Sequence, residues 1–303
     1  MVIDVPLVLA RWVHFLCLMI VFGASLFPLY ALRGGVKAES ARALAITERR
    51  VCLAASLALI SALVWVASSF ATMVGGFDGL DLEALEAFFL ETSFGPVWLV
   101  RLVIISVLVL VLAAIRSSRG RTIFSVWLAA AALASQAWLG HAAMRTGREL
   151  AIELLSYVTH VLAGGAWVGG LLALASLLAS RGSDPGDAGT SECHAALRRF
   201  SNLGMIWVLL ILLSGVANSV FRLKSFGDLF TTPYGQLILA KTTLFSLMLL
   251  AAAINRWRLM PRLENKEDEA TLFALRRNVT IEQGLAVLVL GVAAILGTLP
   301  PRA

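Results

Sequence analysis

Eight long apolar runs constrain this chain more than any other feature. They cover Leu7–Leu32, Val51–Val74, Val97–Ile115, Thr122–Leu139, Leu154–Ala179, Phe200–Phe221, Leu237–Ile254 and Val279–Leu299. A helix needs roughly 17–25 such residues to cross a bilayer. In hydrocarbon every backbone polar group must be satisfied internally, so only helices and closed barrels cross it. None of the runs shows the ten-residue polar alternation of a barrel strand, and Ala and Leu dominate them. The expected fold is an all-α integral membrane protein with eight transmembrane helices. Composition agrees: 59% hydrophobic against 15% charged residues excludes a soluble domain, a disordered chain and a disulfide scaffold. The net charge of +6 is read as the basic bias of cytoplasmic loops, so no nucleic-acid partner is expected.

The basic residues set the orientation. Seventeen of them lie in the segments after runs 1, 3, 5 and 7, and five lie on the opposite side. Arg11, Arg101 and Lys241 fall inside runs. Positive loops stay inside, so both termini are expected outside. The segment after run 2 agrees, with Asp78, Asp81, Glu83, Glu86 and Glu91 and no base. The start MVIDVP lacks a basic n-region, so run 1 is read as retained rather than cleaved. Cys17, Cys52 and Cys193 avoid the outer loops, and no structural disulfide is expected.

Runs 1–4 and 5–8 resemble each other. His14 precedes Gly23 by nine residues, and His160 precedes Gly169 by nine. Arg49-Arg50 precede run 2 and Arg198-Arg199 precede run 6. Phe94-Gly95 leads to Arg101, and Tyr234-Gly235 to Lys241, with the base six after the glycine. Leu139-Gly140 and Leu296-Gly297 end runs 4 and 8. An even number of helices per copy gives two parallel four-helix repeats, residues 1–145 and 146–303. Similar pressures on helix ends are the alternative source of these matches.

Ionisable side chains inside a membrane span are functional candidates by default. His14 and His160 lie about seven residues below the outer ends of their runs, roughly 10 Å deep. His141 sits just past the outer end of run 4, with Met144 three residues on. Neutral imidazole binds Cu, Zn, Fe and Ni, and thiolate and thioether favour Cu(I). His14, His141, His160, Met144 and Cys17 are therefore the candidate metal ligands, Cys17 because it shares a helix face with His14. Buried cysteine is more often a small apolar residue, and a lone membrane histidine often only bonds a carbonyl. Met19, Met73, Met205 and Met248 are read as packing, and Gly164, Gly165, Gly169, Gly170 and Gly204 as points of close helix approach. Arg101 and Lys241 either snorkel to the headgroups or form a matched cationic pair facing a cavity and suited to an anion. Glu282 is expected to pair with inner arginines, the alternative being a proton or ion group. The segment 181–190 reads as a flexible inner linker, and His194 as an inert loop residue. No motif of an ATP-driven or hydrolytic enzyme is present, so the reading is non-enzymatic.

These residues resemble the CopD/PcoD family of copper-resistance inner-membrane proteins. The resemblance rests on Arg11-Trp12-x-His14, Gly140-His141-Ala142, His160 with Trp167-x-Gly169-Gly170-Leu171, Tyr234-Gly235 with Lys241, and Asn255-Arg256 with Pro261. It implies a multi-pass protein of the bacterial inner membrane, with periplasmic termini, that handles copper in resistance or homeostasis. A periplasmic chaperone of the CopC type is the implied partner beside the copper ion and the lipid bilayer. A copper permease or acceptor is the first expectation. The others are a b-type haem electron carrier, with His14 and His160 as axial ligands and Arg101 and Lys241 on the propionates, and a non-transporting scaffold.

Overall fold

The computed structural model describes residues 4–32, 38–76, 81–139, 147–180, 187–265 and 269–299. Among these residues there are only helices and short connections. Eight helices have the length and apolarity to cross a membrane. They lie in α1 (Val5–Ala31), α2 (Ala38–Val74), α4 (Gly95–Ala114), α5 (Arg119–Ala134, extended to Leu139 by a 3-10 stretch), α6 (Gly147–Ser180), α7 (Asp187–Val220), α9 (Pro233–Ile254, continued by a π-helical stretch, Asn255–Leu259) and α11 (Glu269–Leu296). Three short helices, α3 (Leu82–Leu90), α8 (Asp228–Thr231) and α10 (Met260–Asn265), complete the order.

Each apolar run is a helix, and several helices outgrow their runs. α2 begins at Ala38 and α7 at Asp187, so Arg42, Arg49, Arg50, His194, Arg198 and Arg199 are helical rather than loop residues. The linker is correspondingly shorter, because residues 187–190 belong to α7, while 181–186 lie outside the described residues. α6 begins seven residues before its run, so His160 lies about 20 Å along the helix from its start.

α1 and α6 form the central pair. Both pack against α2, α5, α7 and α11 as well as against each other. Their backbones touch at Gly23 and Gly169. A Cβ on Gly23 would overlap the Gly165 carbonyl oxygen and stand 2.8 Å from the Gly169 Cα. A Cβ on Gly169 would overlap the Met19 carbonyl oxygen and stand 2.7 Å from the Gly23 Cα. Lipid-immersed helices associate through such small-residue contacts, because no hydrophobic force drives them together. Gly204 is different: a Cβ there would meet nothing. Met19 and Met248 are core residues, whereas Met73 and Met205 are exposed on the outer faces of their helices.

Arginines close the helix ends at the basic end of the bundle. Arg199 donates to the carbonyl of Ala31 at the end of α1, at 2.7 Å. Arg276 donates twice to Leu178 near the end of α6, at 2.6 and 3.0 Å. Arg121 donates to Leu112 and Ile115 at the end of α4 and pairs with Glu48. The last carbonyls of a helix lack intrahelical donors and carry partial negative charge, which explains why basic side chains converge there. At the opposite end, α3 starts on Asp81, whose side chain accepts from Ala84 N at 2.6 Å. α3 is held by Phe88, whose ring centroid lies 5.4 Å from that of Phe70.

The two sides of the bundle differ in closure. α4 packs against α2, whereas α9 makes no comparable packing against α7 among the described residues.

Candidate functional site

His14 is fully buried on α1 and turned toward α2 and α4. Its Nδ1 lies 2.9 Å from the Ala58 carbonyl oxygen, which can only accept, so Nδ1 carries the proton. The lone pair is then on Nε2, and Arg101 donates to it from 2.6 Å. Ser61 Oγ lies 3.4 Å from Nδ1. Arg101 is itself fully buried and does not snorkel. Its other guanidinium nitrogen donates to the Ala132 carbonyl and to Ser135 Oγ, both at 2.7 Å. Aromatic rings seal the group. Trp65 stands edge-on to His14 and to Trp98, with centroids 5.6 and 5.0 Å apart. Arg11 lies over Trp65 at 4.5 Å, and Arg101 over Trp98 at 5.4 Å. Cation–π contact offsets part of the cost of burying these two charges.

His160 on α6 is arranged alike but finished differently. Its Nδ1 lies 3.1 Å from Ser214 Oγ on α7. Ser214 spends its own proton on the Leu210 carbonyl, so its oxygen accepts from His160. The Ile211 carbonyl, which Ser214 Oγ also approaches, accepts from the ring as well; Nε2 again holds the lone pair, and no donor to it is found among the described residues. His160 is half-buried where His14 is fully enclosed. Trp65 lies four residues after Ser61; the residue four after Ser214 is Asn218, whose Oδ1 is buried without a partner. Lys241 on α9 lies within electrostatic reach of His160 and of Arg222. Arg222 reaches Glu153 Oε1 at 3.4 Å. An imidazole nitrogen left without a donor among the described residues can accept a hydrogen bond or a metal ion.

The two histidines thus bond to different helices, His14 to α2 and α4 and His160 to α7. Cys17 is buried as a free thiol one turn from His14. His141 and Met144 lie outside the described residues. Among the described residues, no three His, Cys, Asp or Glu side chains gather in a metal-holding group. Among the described residues Glu282 is paired with no arginine: its Oε1 accepts from Asn255 Nδ2 at 2.6 Å. The partners Ser61, Ser214, Asn218 and Asn255 are absent from the sequence-derived candidates. Serine and asparagine in apolar helices usually bond their own backbone, and only the matched placement of Ser61 and Ser214 relative to the histidines marks them out.

The haem expectation does not fit this geometry. It needs His14 Nε2 on iron and the Arg101 guanidinium on a propionate, and these two groups are bonded to each other.

Comparison with known proteins covers nearly the whole chain. The profile of the family described as copper resistance protein D matches residues 194–296, and that of the copper resistance protein D-like N-terminal domain matches residues 2–152. Copper resistance protein D of Pseudomonas syringae pv. tomato is 33% identical over 98% of this chain and 97% of its own length. Inner membrane protein YebZ of Escherichia coli (strain K12) is 28% identical over 96% and 97%. Copper transport protein CutJ of Bacillus subtilis (strain 168) is 33% identical over 44% of this chain and 22% of its own. No solved structure matches the chain at a significant level. With two family profiles and a full-length relative in agreement, the chain belongs to the copper resistance protein D family.

Proposed function

We propose that this protein is a permease of the bacterial inner membrane that accepts copper at its periplasmic face and serves copper resistance or homeostasis. It is not an enzyme in this reading, and the copper ion is its cargo. The observation that carries the reading is the unengaged Nε2 of His160, which offers copper a neutral imidazole lone pair inside the membrane. His141 and Met144 receive the ion at the outer surface, where a CopC-type chaperone would deliver it, and His160 takes it next. His14 becomes a ligand only if Arg101 lets it go, and Cys17 lies one turn further in. Lys241 stands beside the path as a cation that the arriving ion must pass.

Two parallel four-helix repeats, 1–145 and 146–303, with both termini periplasmic, are part of the same proposal. The pairs His14/Ser61 and His160/Ser214, the contact of Gly23 with Gly169, and the placing of Arg101 and Lys241 support the repeat. So does a reciprocal pair at the basic end: Arg50 of α2 donates to Ser176 on α6, and Arg199 of α7 donates to Ala31 on α1. The serine pair is offset by 153 residues and the arginine pair by 149, so α2 and α7 differ by about one turn in register.

The test is copper uptake into liposomes containing the purified protein. Copper should accumulate faster than in empty liposomes, and His160→Ala should abolish the difference. Equal uptake with and without protein contradicts the permease.

A further inference from the structure

The second half holds a buried carboxyl group that copper acceptance leaves unused. Glu282 sits midway along α11 and is 2% exposed. The only hydrogen bond it makes among the described residues is the one from Asn255 Nδ2, at 2.6 Å, and no lysine, arginine or histidine pairs with it there. Asn255 is 7% exposed, and its Oδ1 is buried without a partner. This asparagine opens the π-helical stretch Asn255–Leu259. A π-turn carries an extra residue in the helix and recurs at functional sites.

The charged groups on the neighbouring elements are committed elsewhere. Arg256 donates to Ser201 and Asn202 on α7, and Arg276 to Leu178 on α6. Gln283 donates to the Leu171 carbonyl on α6 at 3.1 Å. Arg258, Arg262 and Arg277 are exposed. α1 has no charged residue between Arg11 and its end, and α6 has none between His160 and its end. Among the described residues no cation pairs with Glu282, and an unbalanced charge in hydrocarbon is strongly disfavoured against its neutral form.

We propose that Glu282 and Asn255 form a proton-binding site. The amide nitrogen donates to one carboxyl oxygen. A proton on the other carboxyl oxygen supplies the donor that Asn255 Oδ1 lacks. Acid and amide then satisfy each other, and loss of the proton leaves both oxygens facing one another without a hydrogen. Such a site gives the second half an exchangeable proton below the copper-accepting His160. Coupling of that proton to copper movement rests on the copper reading; the proton site itself does not.

Infrared spectroscopy of the copper-free, full-length protein in liposomes tests the site. A protonated-carboxyl C=O band should be present, shift in D2O, and disappear in Glu282→Gln. Asn255→Leu should keep the band and move its frequency, because the amide hydrogen bond is gone. If Glu282→Gln does not fold, the Asn255→Leu shift carries the test. A wild type without such a band, or with one unchanged in both variants, overturns the proposal. Loss of the band on adding sodium chloride marks a metal-cation site and overturns it too. The same liposomes then report coupling: copper uptake should move protons in wild type and fail to do so in Glu282→Gln. A wild type that shows the band but takes up no copper supports the proton site and rejects the copper reading.

Discussion

Arg101 donates to His14 Nε2 across 2.6 Å in a fully enclosed part of the bundle, and among the described residues the corresponding nitrogen of His160 has no such donor. A hydrogen bond involving a charged group contributes about 1.5–3 kcal/mol, and its loss leaves the other partner buried and unsatisfied. His14→Ala should therefore lower stability by about that amount. Arg101→Gln should do the same. The double variant should be less destabilised than the sum, because the two act as a unit. Thermal unfolding of the purified variants in detergent measures all three. Strictly additive losses contradict the pairing.

Gly23 and Gly169 bring α1 and α6 into backbone contact, and any larger residue must push the central pair apart. Overpacking of this kind costs about 1–3 kcal/mol. Gly23→Val and Gly169→Val should each destabilise to that extent, while Gly204→Val should change little, since a Cβ there meets nothing. The same unfolding assay compares the three. Equal losses at all three positions contradict the central α1–α6 contact.

Orientation is checked by labelling. Glu86 on α3 and Ser118 before α5 are exposed at opposite ends of the bundle. In a cysteine-free background, Glu86→Cys should react with an impermeant maleimide added to the periplasmic side, and Ser118→Cys should not. The reverse pattern places the termini in the cytoplasm and removes the basis for copper arriving at His160 from outside.

Much of this was legible in the amino-acid order. Hydrocarbon forces helices onto any long apolar run, so all eight candidate spans follow from the order of apolar residues. Gly165 and Gly169 could be read as packing residues because small side chains are what lipid-immersed helices need to approach one another, whereas Gly204, read the same way, meets nothing, and Gly23 was legible only through the repeat. Helix starts were less legible: α2 and α7 continue through charged residues that hydropathy assigns to loops, and from within these helices Arg50 reaches the Ser176 hydroxyl and Arg199 the Ala31 carbonyl. The roles of Arg101 and Glu282 depended on partners 87 and 27 residues away in sequence, and no local pattern encodes which helix a side chain faces. His14 and His160 look equivalent in sequence, and Arg101 against Lys241 is the visible difference. A guanidinium has a planar fork of donors that can bridge His14, Ala132 and Ser135 at once, which a lysine ammonium does not reproduce.

Lys241 places a positive charge near the proposed copper ligand, and charges interact strongly where water is scarce. Lys241→Gln should raise the affinity of the protein for copper by about tenfold, equivalent to about 1.4 kcal/mol. Arg101→Gln should leave the affinity at His160 unchanged, and any added copper should bind the freed His14. Titration of the purified variants against a competing chelator measures both. Weaker copper binding in Lys241→Gln would mean that the lysine holds a ligand in place rather than repelling the ion.

The central claim is that copper is accepted at His160 and not at the enclosed His14. Copper stoichiometry, measured by metal analysis of the purified wild type, His160→Ala and His14→Ala after equilibration with copper and removal of excess, tests it most directly. The account predicts that His160→Ala loses most of the bound copper and that folded His14→Ala retains it. Retention by His160→Ala with loss from His14→Ala would contradict it.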